Sequence, residues 1–484
     1  MLISFIVCLL AFVAIGISAA RKSRGTSRDY YLADQSVPPS LVGLSAVATN
    51  NSGYMFIGAI GYTYATGLAS IWLMVGWITG DYLASLYVHR RLRDSAAKSE
   101  ETSYAGMLSN WNGAGREQST LRRTAALITL VFLLTYASAQ LIAGSKALSV
   151  LLDWPLWAGA VLGAVIVVAY CFSGGIRASI WTDAAQSVVM IFAMSLLLTV
   201  ALVASGGFSG AIAQMGEIDH FLDWYPRDLP FPGIGGGVLF AASWMFAGLS
   251  VIGQPHIMIR FAALSNATQM RRARLYYYLW FTAFYFMAIG VGLLARILLN
   301  NPAEFDAELA LPTMALELLP PVLVGVVLAG IFAATISTAD SLVLACSSAL
   351  SNDLLKKKIE STMLIRFSTL AITAVALALT FTENQSVFAI VIMAWSGLAS
   401  AFAPLILVLC LGQRPSEKLA LVMMISGLVT ASVWRWAGLA DAVYEGMPGI
   451  LVGLTVFLVG NRLTSNTESV AHTETQQRYS ELPP

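Results

Sequence analysis

The chain has 484 residues, of which 57% are hydrophobic and only 11% charged, with a mean hydropathy of +0.72. Soluble proteins carry about 25% charged residues, so the composition excludes an ordinary soluble enzyme and predicts an all-α polytopic membrane protein. A formal charge of +1 supplies no field that would attract nucleic acid.

The first apolar run covers 2–20. Ser18-Ala19-Ala20 resembles a signal-peptide cleavage site, but the basic cluster follows the run and the run is long. It therefore reads as a retained helix with its N-terminus outside. Spanning takes about 20 apolar residues. On that rule about 13 helices are expected, at roughly 2–20, 38–62, 66–88, 124–150, 156–173, 185–206, 235–260, 275–299, 320–350, 362–381, 386–411, 418–436 and 446–460. Basic residues gather in cytoplasmic loops. With this count, all of the 28 Lys and Arg fall in alternate loops or the tail except Lys146, Arg227, Arg296 and Arg435. That places the C-terminus inside.

The outer loops holding Glu217, Asp219, Asp223 and Asp228, and Glu304, Asp306, Glu308 and Glu317, read as solvated. The polar segment 94–121 reads as short surface structure. One transmembrane domain over 1–463 is expected, followed by a disordered cytoplasmic tail at 464–484. Cys8, Cys171, Cys346 and Cys410 lie in apolar segments with no metal-type spacing.

The second helix contains Thr49-Asn50-Asn51-Ser52-Gly53, poor helix material at the centre of a span. An unwound turn in hydrocarbon survives only where protein or water satisfies its backbone, so this is a candidate binding site. A small-residue helix contact is the alternative. The seventh helix is a possible counterpart, with Ala247-Gly248-Leu249-Ser250 and Gly253-Gln254-Pro255-His256. Two breaks five helices apart fit an inverted repeat of about 38–206 and 235–411.

On the ninth helix Ser337, Asp340 and Ser341 share one face, with Ala334 and Thr338 nearby. Hydroxyls, carbonyls and a carboxylate suit a hard cation. A carboxylate at this depth costs several kcal/mol unless partnered, and no basic residue lies between Arg296 and Lys356. A cation, a proton or another helix must compensate. Asp183 is a candidate to join Asp340, or else a helix cap. Asp81 is a third intramembrane carboxylate with no role that the sequence assigns.

The chain resembles the sodium:solute symporters, most closely those for proline. The resemblance runs nearly full length, through Asp29-Tyr30-Tyr31-Leu32, Trp181-Thr182-Asp183, Gly253-Gln254-Pro255-His256-Ile257, Ser337-Thr338-Ala339-Asp340-Ser341 and Cys346-Ser347-Ser348-Ala349-Leu350. It implies a leucine-transporter-like fold of five-plus-five inverted repeats (helices 2–6 and 7–11) working by alternating access. It implies a sodium site at Ala48, Asn51, Ala334, Ser337 and Thr338. A second cation site, found in some members, would fall on Asp183, Ser337, Asp340 and Ser341. The substrate pocket would fall on Asn50, Ser52, Gly53, Tyr54, Tyr136, Ala247, Val251 and Pro255. Sodium is then the coupling ion, with no organic cofactor.

Four departures bear on substrate. Proline symporters carry aspartate at the position of Asn50, tryptophan at those of Tyr54 and Ala247, and tyrosine at that of Val251. Trp244, one turn before Ala247, either refills the enlarged pocket or faces lipid or another helix. The loss of charge at Asn50 shifts the expected weight of cation binding to Asp183 and Asp340, with a proton-coupled mode left open. The expected function is sodium-driven import of a small solute, an amino acid such as proline, across the cell membrane by a protein functional as a monomer. A symporter for a carboxylate or other small solute is the alternative, and a membrane sensor module is the different-class alternative. No metal or nucleophile constellation points to an enzyme.

Overall fold

The computed structural model describes residues 1–480 apart from 22–23, 114–117, 232, 300–304, 356–358, 360 and 382–385. The expected positions Lys22, Arg116, Glu304 and Lys356–Lys358, and the last four residues, lie outside the described ones. Thirteen helical segments follow the expected spans. α1 is Leu2–Ala20. α2 is broken into α2a (Pro39–Asn50) and α2b (Ala59–Thr66), joined by a wide turn over Tyr54–Gly58. α3 is Ile71–Ser99 and α4 is Ser119–Leu152. Leu156–Ala204 breaks at Gly175 (φ 57°) into α5 (Leu156–Ala169) and α6 (Gly174–Ala204). α7 is broken into α7a (Gly233–Leu249) and α7b (Pro255–Ala262). α8 is Met270–Leu298, α9 is Pro321–Ser348, α10 is Thr362–Leu379, α11 is Val387–Cys410, α12 is Glu417–Trp436 and α13 is Gly446–Ser480.

By length and apolar character, ten segments among the described residues can cross a membrane, so the count of thirteen is approximate. Tyr54–Ser99 qualifies as one segment although Gly67 (φ 74°) bends it, and α5 and α10 are short. Burial separates core from periphery. In the apolar windows of α9 and α11, 83% and 89% of residues are buried, against 22% for α1 and 28% for α12 and α13. The peripheral helices turn residues such as Ile3 and Trp436 outward, as a lipid-facing surface requires.

Small residues set the closest crossing. A Cβ on Gly80 would stand 1.8 Å from the Met245 carbonyl oxygen, and one on Gly248 would stand 2.0 Å from that of Trp77. α3 and α7a therefore meet backbone to backbone, as small residues permit. The Asp29-Tyr30-Tyr31-Leu32 motif forms the short helix Ser27–Leu32, capped by Thr26. Asp29 pairs with Arg177 at 2.5 Å, Tyr30 donates to the Cys171 carbonyl at 2.9 Å and Tyr31 reaches Ser347 at 3.0 Å. This motif is a clamp on α6 and α9. Val37 exchanges backbone bonds with Ala263 and Ser265 (3.2 and 2.9 Å), tying the approach to α2a to the end of α7b.

Two expectations need correction. Among its described residues, the segment 94–121 is in large part interior and not merely surface structure. α3 continues to Ser99, and the helix Tyr104–Ser109 is wholly buried, with Tyr104 donating to the Ile252 carbonyl. Its Tyr, Met and Leu residues give it an apolar face that a count of polar residues hides. The acidic loop before α9 is not simply solvated. Glu308 is buried and accepts Lys146 at 2.7 Å, while its oxygens also accept the backbone N–H groups of Val387 and Phe388 at 3.0 and 2.9 Å. It caps α11, where a carboxylate meets free N–H groups. Separately, helical backbone in α13 extends to Ser480.

Candidate functional site

α2a ends where its sequence predicts. Asn51 leaves helical geometry (φ −89°, ψ 44°), and its side chain turns back onto the Val47 carbonyl at 3.2 Å. The exposed backbone beyond it finds partners on other helices. Gly53 N donates to Gln140 Oε1 of α4 at 2.8 Å, and Tyr136 of α4 donates to Ser52 Oγ at 3.1 Å. Gly53 is confined. A Cβ there would lie 2.6 Å from Thr335 Cγ2 and 2.9 Å from Ala143 Cβ. Gly53→Ala is therefore expected to cost about 1–3 kcal/mol and to depress uptake, read as a lower thermal midpoint and a lower initial rate. An unchanged midpoint would mean that α4 and α9 yield at this point.

α9 lies across the break. Ser337 Oγ sits between the carbonyls of Ala48 (3.3 Å) and Ala334 (3.1 Å), and Thr338 Oγ1 donates to the Thr49 carbonyl at 2.9 Å. A hydroxyl has one proton, so Ser337 cannot donate to both carbonyls. Oxygens that converge in this way fit a hard cation. Ala48, Ala334, Ser337 and Thr338 are brought together, while Asn51, three residues on from Ala48, bonds back to the Val47 carbonyl.

Asp183 and Asp340 are also brought together, through Ser179. Its hydroxyl is 3.1 Å from Asp340 Oδ1 and 3.5 Å from Asp183 Oδ2. Ser45 donates to Asp183 at 2.7 Å and Ser341 to Asp340 at 3.0 Å. The sequence reading missed what completes the cluster. Arg260 of α7b is 1% exposed and inserts its guanidinium here, 3.2 Å from Asp183. It donates to Ser45 (2.9 Å), Ser179 (2.8 Å), the His256 carbonyl (2.7 Å) and Ser341. The compensation for Asp340 thus includes another helix. Two carboxylates and one guanidinium leave one formal negative charge, and Asp183 Oδ1 and Asp340 Oδ2 have no partner among the described residues. Arg260 was read as a loop charge, yet it stands alone in Pro255-His256-Ile257-Met258-Ile259-Arg260-Phe261-Ala262, a pattern that could have marked it as buried.

The substrate-pocket residues are all buried around the break, but their neighbours differ from expectation. Asn50 turns to α8 and donates to Tyr277 at 2.5 Å. Tyr54 packs between Trp77 and Phe388, each ring centroid 5.6 Å away. Trp244 does not face lipid. It stacks on Trp77 (6.4 Å) and Tyr444 (5.9 Å), one ring removed from Tyr54. Trp395 stands beside Ala247 instead, donating its indole N–H to the Ala247 carbonyl at 2.9 Å and touching Trp77, Tyr136 and His256. Val251 and Pro255 flank the α7 break, which Gln254 bridges to the Trp395 carbonyl at 2.9 Å. Trp77, Gln140 and Trp395 belong to this site and carried no sequence signal beyond being apolar or amide residues in spans. Several buried polar atoms here lack partners among the described residues: Trp77 Nε1, Trp244 Nε1, Gln140 Nε2, Gln254 Oε1 and both nitrogens of His256. Buried polar groups are ordinarily bonded, so this set has spare capacity to bond a polar ligand or water.

Two broken helices, α7b packed on α2a and a hydroxyl-rich α9 across the first break, define a secondary transporter of leucine-transporter-like architecture. A substrate-bound, outward-open Na+-coupled sialic acid symporter has this fold, with a TM-score of 0.75 at 18% identity over 94% of this chain and 97% of that one. MhsT in complex with L-phenylalanine has it too, with a TM-score of 0.58 at 15% identity over 86% and 98%. The chain belongs to the sodium:solute symporter family, which it matches over residues 30–427. Curated relatives include the high-affinity proline transporter PutP of Bacillus subtilis, 31% identical over 451 residues (91% of this chain, 93% of that one). The sodium/proline symporter of Escherichia coli is 29% identical over 511 residues (100% and 98%). The chain is thus a multi-pass membrane transporter that couples solute import to sodium, and not an enzyme.

Proposed function

We propose that the protein imports a small amino acid of the proline type with sodium, holding the ion on Ala48, Asn51, Ala334, Ser337 and Thr338 and the solute in the aromatic cradle at Asn50–Tyr54. The observation that carries this is the convergence of α9 hydroxyls on the carbonyls at the end of α2a. The unpartnered donors Trp77 Nε1, Trp244 Nε1 and Gln140 Nε2 suit a carboxylate on the solute. The relatives are named for proline. The altered aromatic positions favour a second reading, a related solute that keeps the carboxylate and differs in its side chain. The N-terminus is outside and the C-terminus cytoplasmic, in the cell membrane, and the monomer is the working unit.

The Asp183–Asp340 pair takes a second monovalent cation, because Arg260 neutralises only one of its two charges. One charge crossing ~100 mV is worth ~2.3 kcal/mol, and a tenfold sodium gradient adds ~1.4 kcal/mol. A second ion would square the accumulation ratio. In Asp340→Asn the steepness of uptake against sodium is expected to fall, while uptake itself stays sodium-dependent through the first site. Unchanged steepness would remove the second ion from the scheme. The decisive experiment is uptake into proteoliposomes of labelled proline, other amino acids and small carboxylates, with sodium, lithium or choline outside at two pH values. Proline uptake in sodium alone is expected. If no solute of this panel shows cation dependence, the proline-type solute is excluded.

A further inference from the structure

Asp81 lies on α3, fully buried, outside both cation clusters. Its oxygens accept from two phenols of α8, Tyr277 at 2.6 Å and Tyr278 at 2.8 Å. Among the described residues no cation pairs with it. α8 presents Tyr277 and Tyr278, with Arg274 one turn from Tyr278 toward the helix start. α7a presents backbone, the close approach at Gly248. α2a presents Asn50, and α3 itself carries Tyr82 and, two turns on, His89, which stacks on Phe261. A bare carboxylate in this setting costs several kcal/mol, and two neutral phenols return only part of that.

Tyr277 also accepts from Asn50, so one chain of hydrogen bonds runs from Asn50 Nδ2 through Tyr277 to Asp81 Oδ2. Both Tyr and Asn can donate and accept. A proton on Asp81 Oδ2 would donate to the Tyr277 oxygen. The Tyr277 hydroxyl would then donate to Asn50 Oδ1, which requires the Asn50 amide to turn over. The chain therefore has two polarities, and the proton on Asp81 selects between them. Asn50 sits between Ala48 and Asn51, at the end of α2a.

We infer that Asp81 is a proton-binding site whose occupancy is transmitted through Tyr277 and Asn50 to the break in α2, so that a proton modulates sodium binding there. The proton binds one carboxylate oxygen and leaves from it, and no other bond changes. The test uses purified full-length protein and needs no solute. Infrared difference spectra over roughly pH 5 to 9 should contain a carbonyl band of a buried protonated carboxyl that disappears in Asp81→Asn. Apparent sodium affinity, read as the thermal shift in NaCl over KCl, should change about fivefold or more across that range. It should become flat in Asp81→Asn and in Tyr277→Phe, with the band retained in Tyr277→Phe. A band that survives Asp81→Asn, or a wild-type sodium affinity independent of pH, would overturn the inference. So would a Tyr277→Phe profile that stays like the wild type. A total lack of sodium effect at every pH would instead count against the sodium site itself, so the two readings fail separately.

Discussion

Arg260→Met is expected to be the most damaging single substitution in the core. The variant leaves Asp183 and Asp340 buried without their guanidinium, and breaking a buried ion pair costs about 3–5 kcal/mol. It also strips donors from Ser45, Ser179, Ser341 and the His256 carbonyl, which lie on α2a, α6, α9 and α7b. The measurement is the thermal midpoint and monodispersity in detergent, together with sodium-driven uptake. Arg260→Lys should be intermediate. A lysine can neutralise one carboxylate, but it lacks the planar fork that reaches several partners. The double variant Arg260→Met with Asp183→Asn should recover much of the stability and little of the uptake, because it balances charge without restoring the links among four helices. Sodium should stabilise Arg260→Met more than wild type, since two uncompensated carboxylates attract a cation more strongly. If Arg260→Met melts like the wild type, the guanidinium is not what holds the cluster.

Arg122→Leu should have the second largest effect. Arg122, at the start of α4, pairs with Glu101 at 2.6 Å and Asp353 at 2.7 Å, and Ser103 adds a bond to Asp353 at 2.7 Å. All of these side chains are buried. A cavity lined by Ser103, Thr129, Ser348 and Asp353 reaches on to Arg260 and Ser341. Loss of Arg122 leaves two carboxylates facing each other, at about 3–5 kcal/mol, and opens that cavity toward the adjacent membrane face. In a background lacking the native cysteines, a Ser348→Cys reporter should react about tenfold faster with an impermeant thiol reagent once Arg122 is replaced, a change of ~1.4 kcal/mol in opening. Equal labelling rates would show that the cluster does not control access.

The parts of this architecture that could be read from the sequence are those whose signal is local. The α2 break is written into five consecutive residues, and the α9 hydroxyl face into an i, i+3, i+4 pattern. The short α5 and α10 also fall where the expected spans placed them, although only ten segments among the described residues are long and apolar enough to cross a membrane. The parts that could not be read depend on partners far apart in the chain. Arg260 finds Asp183 across 77 positions and Ser45 across 215, and nothing near it announces either. Glu308 looked like a loop acid because its partners, Lys146 and the start of α11, lie in other segments. Trp395 was one aromatic among many in apolar spans. Its role beside Ala247 appears only when α11 is laid against the α7 break.

α4 is a single helix of 34 residues with no proline. At 1.5 Å per residue, Arg122 and Lys146 stand about 36 Å apart along it. Each is a buried latch, one closed on Glu101 and Asp353, the other on Asp306 and Glu308. Both latches ride on one continuous helix and both are closed in this structure, so a rigid-body movement of α4 would load its two ends together. Moving the two ends independently would require the helix to bend, and the 34-residue run contains only one glycine, Gly144, at which bending would be easy.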